Sequence, residues 1–123
     1  MPFNYSIETE QSLVKVDLYG KMNISDALNT LHAFTSDTLY QHHFGIIFDV
    51  RKTNYFPRYS EVYSFYQDYQ NTYQEKIRGK IAMIVNSKIQ YGIARMSSTI
   101  LSGSNLNMEV FLSKEEAIQW LML

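Results

Sequence analysis

The chain has 123 residues, which is the usual size of one domain and is enough to enclose one hydrophobic core. Its composition, 46% hydrophobic and 19% charged, is typical of a globular protein, and 11 basic against 12 acidic residues leave a formal charge of −1. This balance argues against nucleic acid as a partner, because phosphate neutralisation requires a basic surface. Since the sequence has no cysteine, it has no thiolate nucleophile, disulfide or cysteine-based metal site.

The amino terminus and the apolar runs bear on where the protein is found. Residues 1–10, MPFNYSIETE, have neither the basic nor the apolar region of a signal peptide. No run approaches the roughly 20 apolar residues that a membrane-spanning helix needs. We therefore expect a cytoplasmic protein with no transmembrane segment, folded as a single domain over residues 1–123. Its unusual feature is an aromatic content of 15%, with 10 tyrosines.

The first two apolar segments predict a β-hairpin. Apolar and polar side chains alternate in residues 3–8, which is the period of a strand with one solvent-facing side. A second apolar segment covers residues 13–20 and ends in glycine. Because the link between them is short, the two strands should be antiparallel, with the first at an edge of the sheet.

A first helix is predicted after this hairpin. Its N-cap is either Asn23 or Ser25, and Asp26 stands in the first turn, where the helix dipole favours a carboxylate. The residues expected to face the sheet recur at three- and four-residue spacing. They are Ile24, Ala27, Leu28, Leu31 and Thr35.

Two uninterrupted apolar runs predict buried strands. Residues 44–50 and residues 80–86 lack polar alternation, as do parallel strands that helices cover on both faces. We take the first run as the central strand of the sheet. Between the two runs, Pro57 or Ser60 should begin a second helix that extends to about Glu75.

The remaining sequence predicts a helix, a strand and a final helix. Ser87 and Gln90 have the spacing of a capping box for the third helix, and Gly103 marks its end. Residues 108–112 form a short strand, and residues 113–116 are a second capping box. The order β-β-α-β-α-β-α-β-α, with right-handed crossovers, predicts an α/β fold. Its sheet has five strands, mostly parallel, with an antiparallel edge strand and covering helices.

Three stretches carry a resemblance to a known family. They are FDVR at residues 48–51, YGIARM at residues 91–96, and VF at 110–111 followed by EEAIQWL at 115–121. In this order and spacing they resemble the SpoIIAA-like branch of the STAS superfamily, over nearly the whole chain. The resemblance implies a four-turn β/α superhelix with an extra antiparallel edge strand, which agrees with the predicted order of elements.

The sequence departs from the family at the site of its regulatory switch. STAS proteins of the anti-sigma-antagonist type are phosphorylated on a Ser or Thr in an Asp-Ser-(Ser/Thr)-Gly motif after the central strand. The matching residues 56–60 here read FPRYS, with no acidic residue or glycine, and Ser60 is out of register. The resemblance therefore implies no kinase-driven switch. It extends to stand-alone bacterial proteins that are grouped with lipid-binding folds of the CRAL-TRIO type.

Polar residues follow both buried strands, at the sheet edge where open parallel sheets bind ligands. Two helix N-termini should point there, so these residues could form an anion site. The candidates are Asp49, Arg51, Lys52 and Arg58 around the end of the central strand, and Asn86, Ser87 and Lys88 around the end of the next. The simpler interpretation is that long basic side chains solvate the surface and Asp49 pairs with Arg51, and we favour it because charged residues are mostly exposed.

Aromatic residues on the second and third helices are the other candidates. The second helix has more aromatic area than one sheet-facing side needs, and such an excess commonly lines a pocket or a subunit interface. We assign Tyr59, Tyr63 and Tyr69 to an interface or pocket, and Val62, Tyr66 and Tyr73 to the core. On the third helix, Tyr91 and Arg95 are four residues apart and could form a cation–π pair or join an interface.

No metal site or cofactor is expected. His42 and His43 are neighbours whose side chains point to opposite sides of a strand, and His32 has no second ligand at helical spacing. The sequence also lacks a glycine-rich phosphate loop and a nucleophile elbow.

These patterns predict a non-enzymatic binding or regulatory module that self-associates, with a dimer favoured. Its ligand would be a small apolar or anionic molecule, or a protein partner, at the strand ends beside the tyrosine-rich helix. One alternative is a small enzyme with Asp49 as base and Arg51 or Arg58 holding an anionic substrate, for which a strongly raised pKa of Asp49 would argue. The other is a purely structural homo-oligomer, which predicts no pocket.

Overall fold

The computed structural model describes residues 3–54, 57–101 and 107–123, with side chains described up to residue 99 of the second range. The predicted order of strands and helices is confirmed. A short 3-10 turn, Thr9–Gln11, joins the first two strands. The elements are β1 (Phe3–Glu8), β2 (Leu13–Gly20), α1 (Ile24–Thr35), β3 (Gly45–Thr53), α2 (Tyr59–Thr72), β4 (Lys80–Ile84), α3 (Lys88–Leu101), β5 (Asn107–Phe111) and α4 (Lys114–Leu121).

The five strands form one sheet in the order β1-β2-β3-β4-β5. The β1/β2 pair is antiparallel, and the β2/β3, β3/β4 and β4/β5 pairs are parallel. The prediction of β3 as the central strand and of β1 as an antiparallel edge strand is therefore confirmed. The hairpin turn closes at Ser12, whose φ of 54° is left-handed and whose N–H donates to Thr9 O.

The four helices are shared unequally between the two faces of the sheet. Side chains alternate across each strand, so each face buries its own set of residues. One face packs against α1, α2 and α3, and its buried core includes Val16, Ile46, Phe48, Leu31, Phe34 and Tyr69. Among the described elements, only α4 packs against the other face, where Leu13, Ile47, Ala82, Ile84 and Ala117 are buried.

Strand β3 is longer than its apolar run, and the prediction that the strand ends at Val50 is wrong. The strand continues through Arg51 and Lys52 to Thr53, because Lys52 and Thr53 still pair with the end of β2. The register shifts by one residue here, since Asp17 is opposite Asp49 and Tyr19 is opposite Lys52, so that β3 has one residue more than β2 over this stretch. An apolar pattern in the sequence identifies buried residues. It does not identify these last residues of β3, because they are paired in the sheet without being buried.

Local capping interactions begin the helices. Asn23 and Asp26 form a reciprocal capping box at α1, with bonds of 3.1 and 2.8 Å. At α2 the N-cap is Arg58, and neither Pro57 nor Ser60, and the Glu61 carboxylate accepts the Arg58 N–H at 3.0 Å. This helix ends at Thr72, three residues before the predicted end at Glu75.

The two predicted capping boxes at α3 and α4 form in part. The Ser87 hydroxyl accepts the Gln90 N–H at 3.1 Å, but the Gln90 side chain accepts the N–H of Asn86 instead of that of Ser87. The Ser113 hydroxyl accepts the Glu116 N–H at 3.4 Å. The predicted end of α3 at Gly103 lies outside the described residues. Within the described ranges, no helix combines the length and apolarity needed to span a membrane.

Candidate functional site

An apolar cavity of about 170 Å³ lies between the sheet and the helices α1, α2 and α3, and it is partly open to solvent. Protein interiors are packed about as densely as organic crystals, so a void of this size is unusual in a small fold. The sheet contributes Leu18, Phe48, Val50, Ile81, Met83 and Met108, and the helices contribute Ile24, Ala27, Leu31, Val62, Phe65, Tyr69, Ile93 and Ala94.

Small side chains and an uncovered strand explain why the cavity exists. Ala27 on α1 and Ala94 on α3 occupy wall positions where longer side chains would fill the space. Met83 belongs to β4, an interior strand, yet its side chain is only partly buried. The three helices therefore do not close over the middle of the sheet.

The cavity reaches the edge of the sheet where the parallel strands end. Its wall there is built from the segments that follow successive strands: Met22 after β2, Thr53 and Pro57 at and beyond the end of β3, and Gln90 after β4. This is the edge at which ligands bind in open α/β sheets. The cavity thus extends from the interior to the location where function was expected.

Gln90 is a buried polar residue in this wall, with 6% of its surface exposed. Its side-chain oxygen accepts the Asn86 N–H at 2.9 Å, and its amide nitrogen donates to Val50 O at 3.0 Å and to Thr53 O at 3.3 Å. Because these hydrogen bonds use both amide hydrogens, the Gln90 side chain is held in place and links the ends of β3 and β4.

The predicted anion-site residues do not line the cavity. Asp49 and Arg51 form a bidentate pair, with bonds of 3.0 Å from Arg51 Nε and 2.7 Å from Arg51 Nη2. In the sheet register Asp49 is opposite Ile84, whose side chain is buried on the α4 face. The pair is therefore on the face of the sheet opposite the cavity.

The electrostatics of this pair are those of a closed ion pair. Burial raises the pKa of Asp49, but the hydrogen bonds and positive charge of Arg51 outweigh burial and leave that pKa below its usual value. The hydrogen bonds that Arg51 donates to Asp49 in turn raise the pKa of Arg51. Asp17 and Glu115 add negative charge around Arg51. A lowered pKa is the opposite of what a general base at Asp49 would need.

The other members of the predicted set have separate local roles. Asn86 Nδ2 donates to Arg51 O at 2.6 Å, and Ser87 caps α3. The Arg58 guanidinium is 3.7 Å from the Glu61 carboxylate. Lys52 and Lys88 are exposed at the strand ends. The structure brings Asp49, Arg51 and Asn86 together, and it leaves Lys52, Lys88 and Arg58 exposed.

The three tyrosines assigned to an interface or pocket have different environments. Tyr69 is only 2% exposed and lines the cavity, and burial raises the pKa of its hydroxyl to about 12. Tyr59 and Tyr63 are 61% and 48% exposed, and their rings stack with centroids 6.4 Å apart. Val62 and Tyr73, assigned to the core, are buried, and Tyr66 is partly buried.

The candidate pair on α3 does not form a cation–π contact in the described part of the chain. Arg95 instead has its guanidinium 3.6 Å from the Glu109 carboxylate on β5. Tyr91 is 36% exposed. No group of three or more His, Asp or Glu side chains that could hold a metal ion occurs among the described residues.

Sequence reasoning predicted a site at the strand ends, which the cavity reaches, but of the cavity lining it assigned only Tyr69 to a site. One signal was available, because three of the six methionines, Met22, Met83 and Met108, line it. Methionine side chains are flexible and polarizable, and they are common at adaptable apolar binding surfaces.

Comparisons with known proteins support the fold. No family model and no curated protein matches the sequence. Among solved structures, the chain is similar to an uncharacterised protein of the DUF3478 family with a SpoIIAA-like fold from Shewanella loihica PV-4. The TM-score is 0.66 with 14% identity, over 97% of this chain and 93% of that one. The chain therefore has the SpoIIAA-like α/β fold that its sequence motifs predict.

Proposed function

We propose that the protein is a non-enzymatic binding module that takes a small apolar molecule into the cavity between the sheet and α1–α3. The observation that carries the proposal is the cavity itself, which is apolar, partly open and located at the ligand-binding edge of the fold. An apolar molecule would be transferred from water to an apolar wall, which is favourable in proportion to the area buried.

The size of the cavity sets the size of the ligand. An engineered cavity of about 150 Å³ with apolar walls is known to bind benzene. The cavity here is similar, at about 170 Å³. It would hold about six carbon atoms of a ligand, and anything longer would extend through the open side.

Methionine methyl groups provide a direct test. In protein labelled with ¹³C at the methionine methyls, we would titrate octanol and follow each methyl resonance. Met22, Met83 and Met108 line the cavity and should shift together with one saturation curve. Met122, which is 54% exposed and follows α4, is the internal control and should not move. Absence of a saturable shift at the three wall methionines would refute the proposal.

A cavity-filling variant tests the location. Ala27→Leu places three further carbon atoms into the wall of the cavity and should weaken octanol binding by about tenfold or more. Ala33→Leu is the matched control, because Ala33 is on the same helix and is also partly buried without lining the cavity. Thermal unfolding of both variants would verify that they fold. Equal binding by the two variants would place the ligand elsewhere.

The enzyme alternative has no observation in its favour. It depends on Asp49 as a base, and the pKa of Asp49 is lowered while Arg51 holds its carboxylate. We therefore retain the binding module as the proposal.

Self-association is a separate part of the proposal. Its support is the exposed pair of stacked rings of Tyr59 and Tyr63. The ring of Tyr66 lies beside them, with its centroid 6.1 Å from that of Tyr63. Sedimentation velocity of the Tyr59→Ser/Tyr63→Ser double variant is the test, with Tyr69 left unchanged because it is buried. If the parent protein sediments as a monomer, or if the variant keeps the oligomer of the parent, this part of the proposal fails.

A further inference from the structure

The polar side chains of the cavity wall differ in whether they have a partner. Among the described residues, the wall contains Thr53, Tyr69, Gln90 and Ser97 as its side chains with a nitrogen or oxygen atom. The Thr53 and Ser97 hydroxyls donate to backbone carbonyls at 3.1 and 3.0 Å. Gln90 donates both amide hydrogens to backbone carbonyls as well. These three side chains therefore have no hydrogen left to donate to a ligand.

The Tyr69 hydroxyl has no hydrogen-bond partner in the described part of the chain. Burial and the neighbouring Tyr69 hydroxyl raise the pKa of Tyr40, whose own hydroxyl donates to Lys76 O at 2.7 Å. Within the described residues, every fully buried side-chain nitrogen or oxygen has a partner. The Tyr69 oxygen therefore keeps some accessible surface, although the residue is only 2% exposed and lines the cavity.

Tyr69 lies at the end of the cavity that is remote from the strand ends. Helix α2 begins after the end of β3, and the segment that follows the helix returns to the start of β3, where the Arg78 N–H donates to His42 O at 2.9 Å. Tyr69 is ten residues into α2, which is about 15 Å from the start of the helix. Leu31 and Ile81, which also line the cavity, belong to the same buried apolar cluster.

We infer that the Tyr69 hydroxyl faces the cavity and donates a hydrogen bond to the ligand, which is an uncharged apolar molecule with an acceptor oxygen, such as a ketone, at its end next to Tyr69. This inference rests on the proposed function, since it assigns the chemistry of the same ligand. Among the described residues no charged side chain lines the cavity, so an ionised group would lose its water without a partner. A carbonyl oxygen loses less and gains the bond from Tyr69.

The test compares two ring ligands of the same shape. Cyclohexanone has an acceptor oxygen, and methylenecyclohexane has a CH₂ group in its place. Both would be titrated into the methionine-labelled parent protein and into Tyr69→Phe, which removes only the hydroxyl. Tyr73→Phe is the matched control, because Tyr73 is buried at the end of the same helix without lining the cavity. Thermal unfolding would verify that both variants fold.

We expect Tyr69→Phe to bind cyclohexanone about fivefold more weakly than the parent does, and to bind methylenecyclohexane equally well, because only the ketone loses a hydrogen bond. Tyr73→Phe should bind both ligands as the parent does. If Tyr69→Phe loses no affinity for cyclohexanone, or loses as much for methylenecyclohexane, the inference is overturned and the proposed function stands.

The infrared carbonyl band of bound cyclohexanone is a second measurement. A hydrogen bond from Tyr69 lowers its frequency, so the band should lie higher in Tyr69→Phe than in the parent. If this variant does not fold, the parent alone decides, since a band at the frequency found in an alkane would overturn the inference. A parent that binds octanol or methylenecyclohexane but not cyclohexanone also overturns it. If none of these ligands binds, the proposed function itself is overturned.

Discussion

The two faces of the sheet are built from the same strands and are packed to different degrees. The single helix α4 covers its face of the sheet because central residues there, such as Ala82 and Ala117, have small side chains that allow close packing. Both residues are 0% exposed. The opposite face carries three helices and larger side chains, yet it retains the cavity. The number of covering helices thus does not determine how well a face is filled. Local matching of side-chain volumes does.

The neighbouring residues Met83 and Ile84 of β4 should show the largest difference in packing between the two faces. Ile84 is 0% exposed on the α4 face, whereas Met83 faces the cavity and is partly buried. Ile84→Ala should cost about 2–5 kcal/mol of unfolding free energy, because it creates a new void in a filled region. Met83→Ala should cost less than about 2 kcal/mol, because it only widens a space that exists already. Urea denaturation measures both, and equal losses would mean that the two faces are packed alike.

The unfolding free energy at alkaline pH should depend on the buried hydroxyl of Tyr69 on the cavity face. Burial raises the pKa of Tyr69 from 10.0 to about 12. The unfolded chain therefore releases the Tyr69 proton at a lower pH than the folded protein does. The contribution of the neutral hydroxyl to the unfolding free energy is complete below pH 10 and is lost as pH rises toward 12. By pH 11 the loss from this residue should be about 1 kcal/mol.

Tyr69→Phe tests this effect against the exposed Tyr63→Phe. We expect a shallower fall in unfolding free energy above pH 10 for Tyr69→Phe, and a profile like that of the parent for Tyr63→Phe. Identical profiles for all three proteins would contradict the assignment.

The unfolding free energy at acid pH should depend on the Asp49–Arg51 ion pair on the other face, and this effect should be the smallest. The pKa of Asp49 is lowered, so its pairing with Arg51 stabilises the fold at neutral pH and is lost as pH falls through the lowered value. Because the pair is partly exposed, we expect less than about 1 kcal/mol. Asp49→Asn should lose less stability than the parent between neutral pH and about pH 3. Asp68→Asn, an exposed residue of α2, is the control and should follow the parent profile.

The strands and helices could be predicted because their signals are local. Capping residues and alternating or helical apolar spacing predicted, in the right order, the five strands and four helices of the described part of the chain. The errors are at element boundaries, where residues are paired in the sheet without being buried. Strand β3 extends through Arg51 to Thr53 since hydrogen bonds to β2 hold it there, and no apolar pattern reports such bonds.

The candidate site could be predicted only in part. Polar residues near the ends of the buried strands predict a site at this edge of the sheet, and the cavity reaches the same edge. The sequence could not assign Asp49 to the α4 face, because that depends on the register of three strands. It also grouped Tyr59, Tyr63 and Tyr69 together, although one is buried in the cavity wall and two are exposed.

The sequence by itself determined the order of elements, the mostly parallel sheet and the resemblance to the SpoIIAA-like fold, since these follow from periodicity, capping and short motifs along the chain. Only the tertiary structure decided that a cavity remains beside Met83 and that Gln90 joins the ends of β3 and β4. A void is a difference between the space enclosed by several elements and the side chains that fill it. That difference arises only when residues distant in the chain, such as Ala27, Met83 and Ala94, come together.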